Sequence, residues 1–241
     1  MDQESSNLEL MENLEHILST IRHEVGNSIN SLKITLDVLR ENFDLFDDAK
    51  KKDYLKRGSK LVARQQELVN AMEAYSRFNV KEQEEIQFLN FWESFLTAAA
   101  TKLKDRNIKF VRDHDTEPFL IKANNMALNK IMMSILDNAI QAVEVVNDPQ
   151  IELRVALNND FVTILLKDNG CGIRKNDISK ALIPLFTTKP GKMGMGLPIA
   201  RKLLVKMGGR IEIKSPFEDG TEVRVWLRTA GGQEKEVGYH I

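Results

Sequence analysis

Residues Ser6 to Lys81 contain no proline, and Gly26 and Gly58 are their only glycines. Proline removes a helical hydrogen bond and clashes with the preceding turn, so a long stretch without it favours helix. Within this stretch apolar residues recur at a spacing of roughly 3.5: Leu14, Ile17, Ile21, Val25, Ile29, Leu32, Leu36, Leu39 and Phe43. A polar break at Asp44 to Lys52 is followed by a second series, Leu55, Leu61, Val62, Leu68, Val69, Met72 and Tyr75. The pattern predicts an antiparallel helical hairpin with coiled-coil-like seams. Two helices of this length cannot enclose a core alone. The seams therefore predict a partner, most simply a second copy that completes a two-fold four-helix bundle.

From about Gln83 the pattern changes. A helix is expected over Phe91 to Leu103 and strands over Ile108 to Val111 and Pro118 to Lys122, followed by a long helix from Asn125 to Val146. Strands at Ile151–Ala156 and Phe161–Leu166 flank Asn158-Asn159-Asp160, a good hairpin turn. A stretch rich in glycine and punctuated by proline runs from Gly170 to Gly196. A helix at Leu197–Met207 stops at Gly208-Gly209, and strands at Arg210–Lys214 and Thr221–Leu227 meet across Asp219-Gly220. This mixture predicts a two-layer α/β sandwich. The expected division is a helical hairpin over 1–82, an α/β domain over 83–230 and a polar tail over 231–241.

Composition removes several classes of function. A net charge of −1 leaves no electrostatic footprint for nucleic acid or an anionic membrane surface. The single cysteine, Cys171, excludes an intramolecular disulfide and a multi-cysteine metal site, and is expected only to fill space. No run approaches the ~18 apolar residues of a membrane span, and the polar start is no signal peptide. The expected setting is cytoplasmic, without membrane contact by this chain.

The chemistry is concentrated in a few short segments. Asp168-Asn169-Gly170-Cys171-Gly172 directly follows the run Phe161-Val162-Thr163-Ile164-Leu165-Leu166-Lys167, and Gly194-Met195-Gly196-Leu197 opens an amphipathic helix. A carboxylate at a strand end can accept a hydrogen bond from an exocyclic amine. Glycines beside it let backbone approach a flat base, and a second glycine turn opens a helix whose N-terminus can hold phosphate. Either half alone is a weak signal, since Asp-x-Gly-x-Gly also occurs in ordinary turns. On the long helix, Leu128, Ile131, Ile135, Ala139 and Ala142 mark the face set against the sheet, with Asn138 beside it. An amide oxygen there suits Mg²⁺, a hard cation that keeps waters and phosphate oxygens, although an isolated asparagine is more often only solvated.

Taken together and in order, these segments resemble the homology boxes of sensor histidine kinases. Their ATP-binding domain is of the type shared with type II topoisomerases, the Hsp90 chaperone and the MutL repair protein. Ser134 to Ala139 is similar to the N box, Asp168 to Gly172 to the G1 box, Pro184 to Lys189 to the F box, and Gly194 to Leu197 to the G2 box. Gly220-Thr221 is similar to the glycine motif before the last strand. The resemblance implies that Asp168 accepts the adenine amine and that Gly170 and Gly172 let the base lie close. It further implies that Asn138 coordinates Mg²⁺ and that Ile173 to Met195 form a lid over ATP. Phe186 would be a latch in that lid, Thr188 and Lys189 would lie near the phosphates, and Gly194, Gly196, Leu197 and Thr221 would line the pocket. Two departures stand out. Ser134 replaces the first asparagine of the N box, and Gln141 replaces a frequent basic residue, so phosphate contacts would fall to Lys189 or Lys192.

In the hairpin, His23-Glu24-Val25-Gly26-Asn27 resembles the H box of the same family. Imidazole is nucleophilic at neutral pH and yields a labile phosphoramidate. His23 falls off the seam formed by Ile21, Val25 and Ile29, and Asn27 lies one turn on, on the same face. His16, two turns earlier, is a rival on spacing alone; His114 and His240 are given no role. The resemblance implies that Glu24 polarises the ring and that Asn27 positions water for dephosphorylating a partner, with Ser28 where a proline is usual. It implies a homodimer that autophosphorylates His23 from Mg-ATP and passes the phosphoryl to an aspartate of a response-regulator receiver domain. Two other classes stay open. One is an ATP-driven conformational ATPase, for which Asp137 is the only carboxylate next to Asn138. The other is a signalling scaffold that has lost phosphotransfer.

Overall fold

A computed structural model of the chain describes residues 2–77, 82–112, 118–158, 160–189, 192–216 and 219–231, with side chains from Leu18 onward except Ala74 and Arg77. The side chain of His16, together with His114, His240 and the tail beyond Gly231, lies outside the described residues. The chain divides into two compact units, Met1–Arg77 with Ile183–Met195, and Phe78–Leu182 with Gly196–Ile241.

In the first unit, α1 (Asp2–Glu41) and α2 (Asp48–Arg77) form the expected hairpin. The helices run antiparallel, since Glu24 meets Arg64 while Leu32 meets Gly58. Asp47 ends the connection, its carboxylate accepting the Lys50 backbone N–H at 2.7 Å as an N-cap. The predicted break, Asp44 to Lys52, therefore closes earlier than its polarity suggests. Leu39, Leu68 and Ser28 are buried along the seam between the helices.

The second unit is a two-layer α/β sandwich. Its five-stranded sheet has the order β2 (Lys109–Arg112), β4 (Gln150–Leu157), β5 (Phe161–Asp168), β7 (Thr221–Arg228), β6 (Arg210–Lys214). Only the β2–β4 pair is parallel. Side chains alternate across a sheet, and here one face is buried while the other is half exposed: Val162, Ile164 and Leu166 on β5, and Val223, Val225 and Leu227 on β7. That face packs under α4 (Asn125–Val143) and α6 (Gly196–Lys206), with α3 (Phe88–Leu103) beside α4. The core includes Leu128, Ile131, Met132, Ile135 and Leu136 of α4.

Two further elements were not expected. β1 (Glu84–Gln87) pairs antiparallel with β3 (Leu120–Ala123), and α5 is a single turn over Lys175–Ile178. The small sheet closes over an aromatic cluster in which Phe88 stacks on Phe119 at 4.7 Å between ring centroids. Asn124 starts α4 by accepting the Ala127 N–H at 2.9 Å. Close by, where the Asn124 N–H meets the Met207 sulfur at 3.4 Å, Gly208 (φ +68°) turns α6 into β6.

Candidate nucleotide and phosphoryl-acceptor sites

The period-two alternation that buries Val162, Ile164 and Leu166 also carries Asp168 onto the helix side of the sheet. It is buried, with 4% of its surface exposed. Opposite it in the ladder stands Thr221, on the same face. Asp168 Oδ1 accepts the Gly170 N–H at 2.9 Å and the Thr221 N–H at 3.2 Å, so the two ends of the motif are tied to one oxygen. A buried carboxylate needs such donors to offset its lost hydration.

The glycines around it are dictated by space. A Cβ on Gly170 would come within 2.6 Å of the Ala142 backbone on α4. Gly172 has φ +68°, and Gly220 has φ +84° with any Cβ landing on the Asp168 carbonyl oxygen. Asn169 is structural: its side chain accepts from Gln150 N at 2.7 Å and donates to Asp148 O at 2.7 Å, pinning the loop before β4.

One residue of this arrangement escapes sequence reasoning. The buried Ser215 hydroxyl accepts the Ile173 N–H at 2.7 Å, donates to Gly220 O at 2.8 Å, and lies 3.1 Å from the Thr221 hydroxyl. It joins the first glycine turn to the last strand. A serine ending a strand before a turn is too common for its sequence to have signalled this.

Asn138 projects half-buried from α4 beside the first turn of α6, its Nδ2 3.9 Å from where a Cβ on Gly196 would stand. The Ser134 hydroxyl lies 2.6 Å from the same point, so the helix start approaches closely only because residue 196 is glycine. Leu197 follows in that first turn. Asp137 points elsewhere and pairs with Lys102 of α3 at 2.5 Å. Among the described residues no group of three or more His, Cys, Asp or Glu is placed to hold a metal. A lone amide oxygen beside a helix N-terminus suits a cation that takes its remaining ligands from phosphate and water.

Asn138, Asp168, Gly170, Gly172, Gly196, Leu197 and Thr221 thus all belong to the second unit. Phe186, Thr188, Lys189 and Gly194 belong to the first. Within that segment Leu185 takes a positive φ of 68°, and Gly194 (φ +61°) packs on the Phe186 carbonyl, where no Cβ would fit. The Thr187 hydroxyl accepts the Lys189 N–H at 3.1 Å. Cys171 is exposed rather than filling space.

On the hairpin His23 is exposed, as its position off the seam predicts. Its Nδ1 lies 3.1 Å from Asn27 Nδ2. Glu24 faces across the hairpin to Arg64, with Nη2 to Oε2 at 3.0 Å.

Comparison with known proteins gives this geometry a context. Residues 123–231 match the family of histidine kinase-, DNA gyrase B-, and HSP90-like ATPases. The C4-dicarboxylate transport sensor protein DctB of Pseudomonas aeruginosa is 29% identical over 87% of this chain and 35% of its own length. The signal transduction histidine-protein kinase AtoS of Escherichia coli is 24% identical over 86% of this chain and 33% of its own length. The chain therefore spans about a third of these curated relatives. Among solved structures, histidine kinase ThkA in complex with response regulator TrrA superposes with a TM-score of 0.67 at 21% identity. That match covers 95% of this chain and 66% of ThkA, and it shows the likeness of fold. The family match over residues 123–231, preceded by a helical hairpin, thus makes the chain similar to histidine kinases and sensor proteins over most of its length.

Proposed function

We propose that the chain is the catalytic core of a sensor histidine kinase, which autophosphorylates His23 from Mg-ATP and passes the phosphoryl to an aspartate of a response-regulator receiver domain. The observation that carries this reading is the coexistence of two sites: an exposed His23 with Asn27 on a helical hairpin, and a buried Asp168 held by Gly170 and Thr221 in the ATPase domain. In its parts, 1–82 is the dimerisation and phosphotransfer hairpin, 83–230 the ATP-binding domain, and 231–241 a polar tail.

The roles follow from chemistry. Asp168 receives the adenine amine, and Gly172 admits the face of the base. Gly196 and Leu197 present backbone N–H groups of the α6 start to phosphate, and Thr188 and Lys189 supply further phosphate contacts from the lid that Phe186 latches. Asn138 would hold Mg²⁺, which would neutralise phosphate charge. His23 Nε2 attacks the γ-phosphorus in line; the bond to the β–γ bridging oxygen breaks, and ADP leaves with the electron pair. Glu24 takes the Nδ1 proton. Asn27, within reach of the ring, also fits the positioning of water for dephosphorylation of the receiver.

Homodimerisation is supported by apolar residues that neither helix of the hairpin covers. Ile29, Leu36 and Phe43 on α1 and Leu55, Val62 and Val69 on α2 remain about half exposed, each set at heptad intervals. Among the described residues no helix is long and apolar enough to cross a membrane, and the proposed setting of this core is the cytoplasm. Tying Asp137 to Lys102 disfavours a water-activating carboxylate beside Asn138, and with it the conformational-ATPase reading.

Incubation with γ-labelled ATP and Mg²⁺, comparing the parent chain with His23→Gln, tests the reading. Acid-labile, alkali-stable label on the parent and none on His23→Gln is the expected result. ATP binding without label in either would leave the scaffold reading in its place.

A further inference from the structure

His23 and Glu24 are both engaged, but not with each other. Neutral imidazole carries one N–H and one lone pair. With Asn27 Nδ2 as the donor at 3.1 Å, Nδ1 is the acceptor, which corresponds to the neutral tautomer with its proton on Nε2. Attack from Nε2 requires the opposite tautomer, with the proton on Nδ1 and an acceptor to hold it there. Glu24 is the nearest carboxylate in sequence, yet it makes no hydrogen bond to the ring. Its Oε2 is 3.0 Å from the guanidinium of Arg64, forty positions on and on the other helix of the hairpin.

We propose that Arg64 is a positioning residue for phosphoryl transfer: it holds the Glu24 carboxylate off the His23 ring at rest, and its release lets Glu24 stabilise the Nδ1–H tautomer whose Nε2 is nucleophilic. This rests on His23 as the phosphoryl acceptor. The pair joins one helix of the hairpin to the other, so a change in hairpin geometry breaks the restraint. It is also weak. The Arg64 and Glu24 side chains are 60% and 43% exposed, and exposed ion pairs shift equilibria only about one- to fivefold. Because the partners sit on different helices of one hairpin, a small sliding of α1 against α2 would separate them. The step itself is balanced as before. Nε2 gains the phosphoryl, ADP leaves with the bridging oxygen, and the Nδ1 proton passes to Glu24.

The test is the initial rate of autophosphorylation at varied ATP for the parent, Arg64→Gln, Arg64→Lys, Glu24→Gln and the double variant Glu24→Gln/Arg64→Gln. Expected is a rise in kcat of about two- to fivefold for Arg64→Gln with KM for ATP unchanged, and a rate near the parent's for Arg64→Lys. Glu24→Gln should be slow, and the double variant no faster than Glu24→Gln. Should Arg64→Gln lose helicity, salt serves as the second measurement. Screening the pair should raise kcat of the parent and leave Glu24→Gln unmoved. An unchanged or lower kcat for Arg64→Gln overturns the proposal, as does an equal gain in the Glu24→Gln background. Absence of label from every chain, the parent included, while ATP still binds, removes the kinase reading and the proposal with it.

Discussion

Asp168 and Gly220 form one device, and each yields its own expectation. Asp168→Asn keeps an oxygen for the Gly170 and Thr221 N–H groups but replaces the charge and turns one acceptor into a donor that opposes the adenine amine. Hydrogen bonds to charged groups contribute about 1.5–3 kcal/mol, so ATP affinity should fall about ten- to a hundredfold, read by titration calorimetry, with the fold retained. Gly220→Ala acts on stability instead. A Cβ would collide with the Asp168 carbonyl at a φ of +84°, and strain of this kind costs about 2–4 kcal/mol. Urea denaturation should show that loss; a midpoint equal to the parent's would contradict the packing. Asp168, Gly172 and Gly220 were legible because a carboxylate after a strand and glycines at turns have few other reasons to occur in that order. Ser215 and Arg64 were not, because their significance lies in partners 42 and 40 positions away. No local pattern marks such pairs.

At the level of elements, what could be read was what has a period. Both hairpin helices, α4, β5 and β7 carry strong patterns and appear within a few residues of the expected bounds. β1 has none: Glu84-Glu85-Ile86-Gln87 is polar and exposed apart from the half-buried Ile86, and is a strand only because β3 offers it a ladder. The α3 helix starts a turn early because Phe88 is drawn into the aromatic cluster with Phe119. The helix over Gly26 gives a prediction of the opposite sign to that for Gly220. A Cβ there meets nothing within 4 Å, and alanine is favoured over glycine inside a helix by about 0.5–1 kcal/mol. Gly26→Ala should raise the melting temperature of the chain, and a fall in scanning calorimetry would mean that the helix bends there in solution. Such a gain in stability beside His23 and Asn27 also asks whether this soft point serves phosphotransfer, which the labelling rate of the same variant reports.

The whole molecule poses a question of assembly that single-chain burial already frames. A hairpin with one apolar seam closed, by Leu39 and Leu68, and a second left open has half of a bundle's core in water. Ile29, Leu36 and Phe43 on one helix and Leu55, Val62 and Val69 on the other stand 48–57% exposed, and burying a large apolar side chain fully yields about 1.5–3 kcal/mol. Six such positions on each of two chains, each about half exposed, contribute about 9–18 kcal/mol, enough to meet an association cost of about 4–15 kcal/mol. Replacing Leu36 and Val62 with aspartate sets charges into that seam and, through the two-fold, does so twice per dimer. The parent should sediment as a dimer at micromolar concentration and Leu36→Asp/Val62→Asp as a monomer, with association weakened at least about a hundredfold. ATP binding should survive, because Asn138, Asp168 and Thr221 belong to the other unit. A double variant that stays dimeric would move the interface off these heptads; one that loses both dimer and nucleotide binding would mean that the two units fold as one.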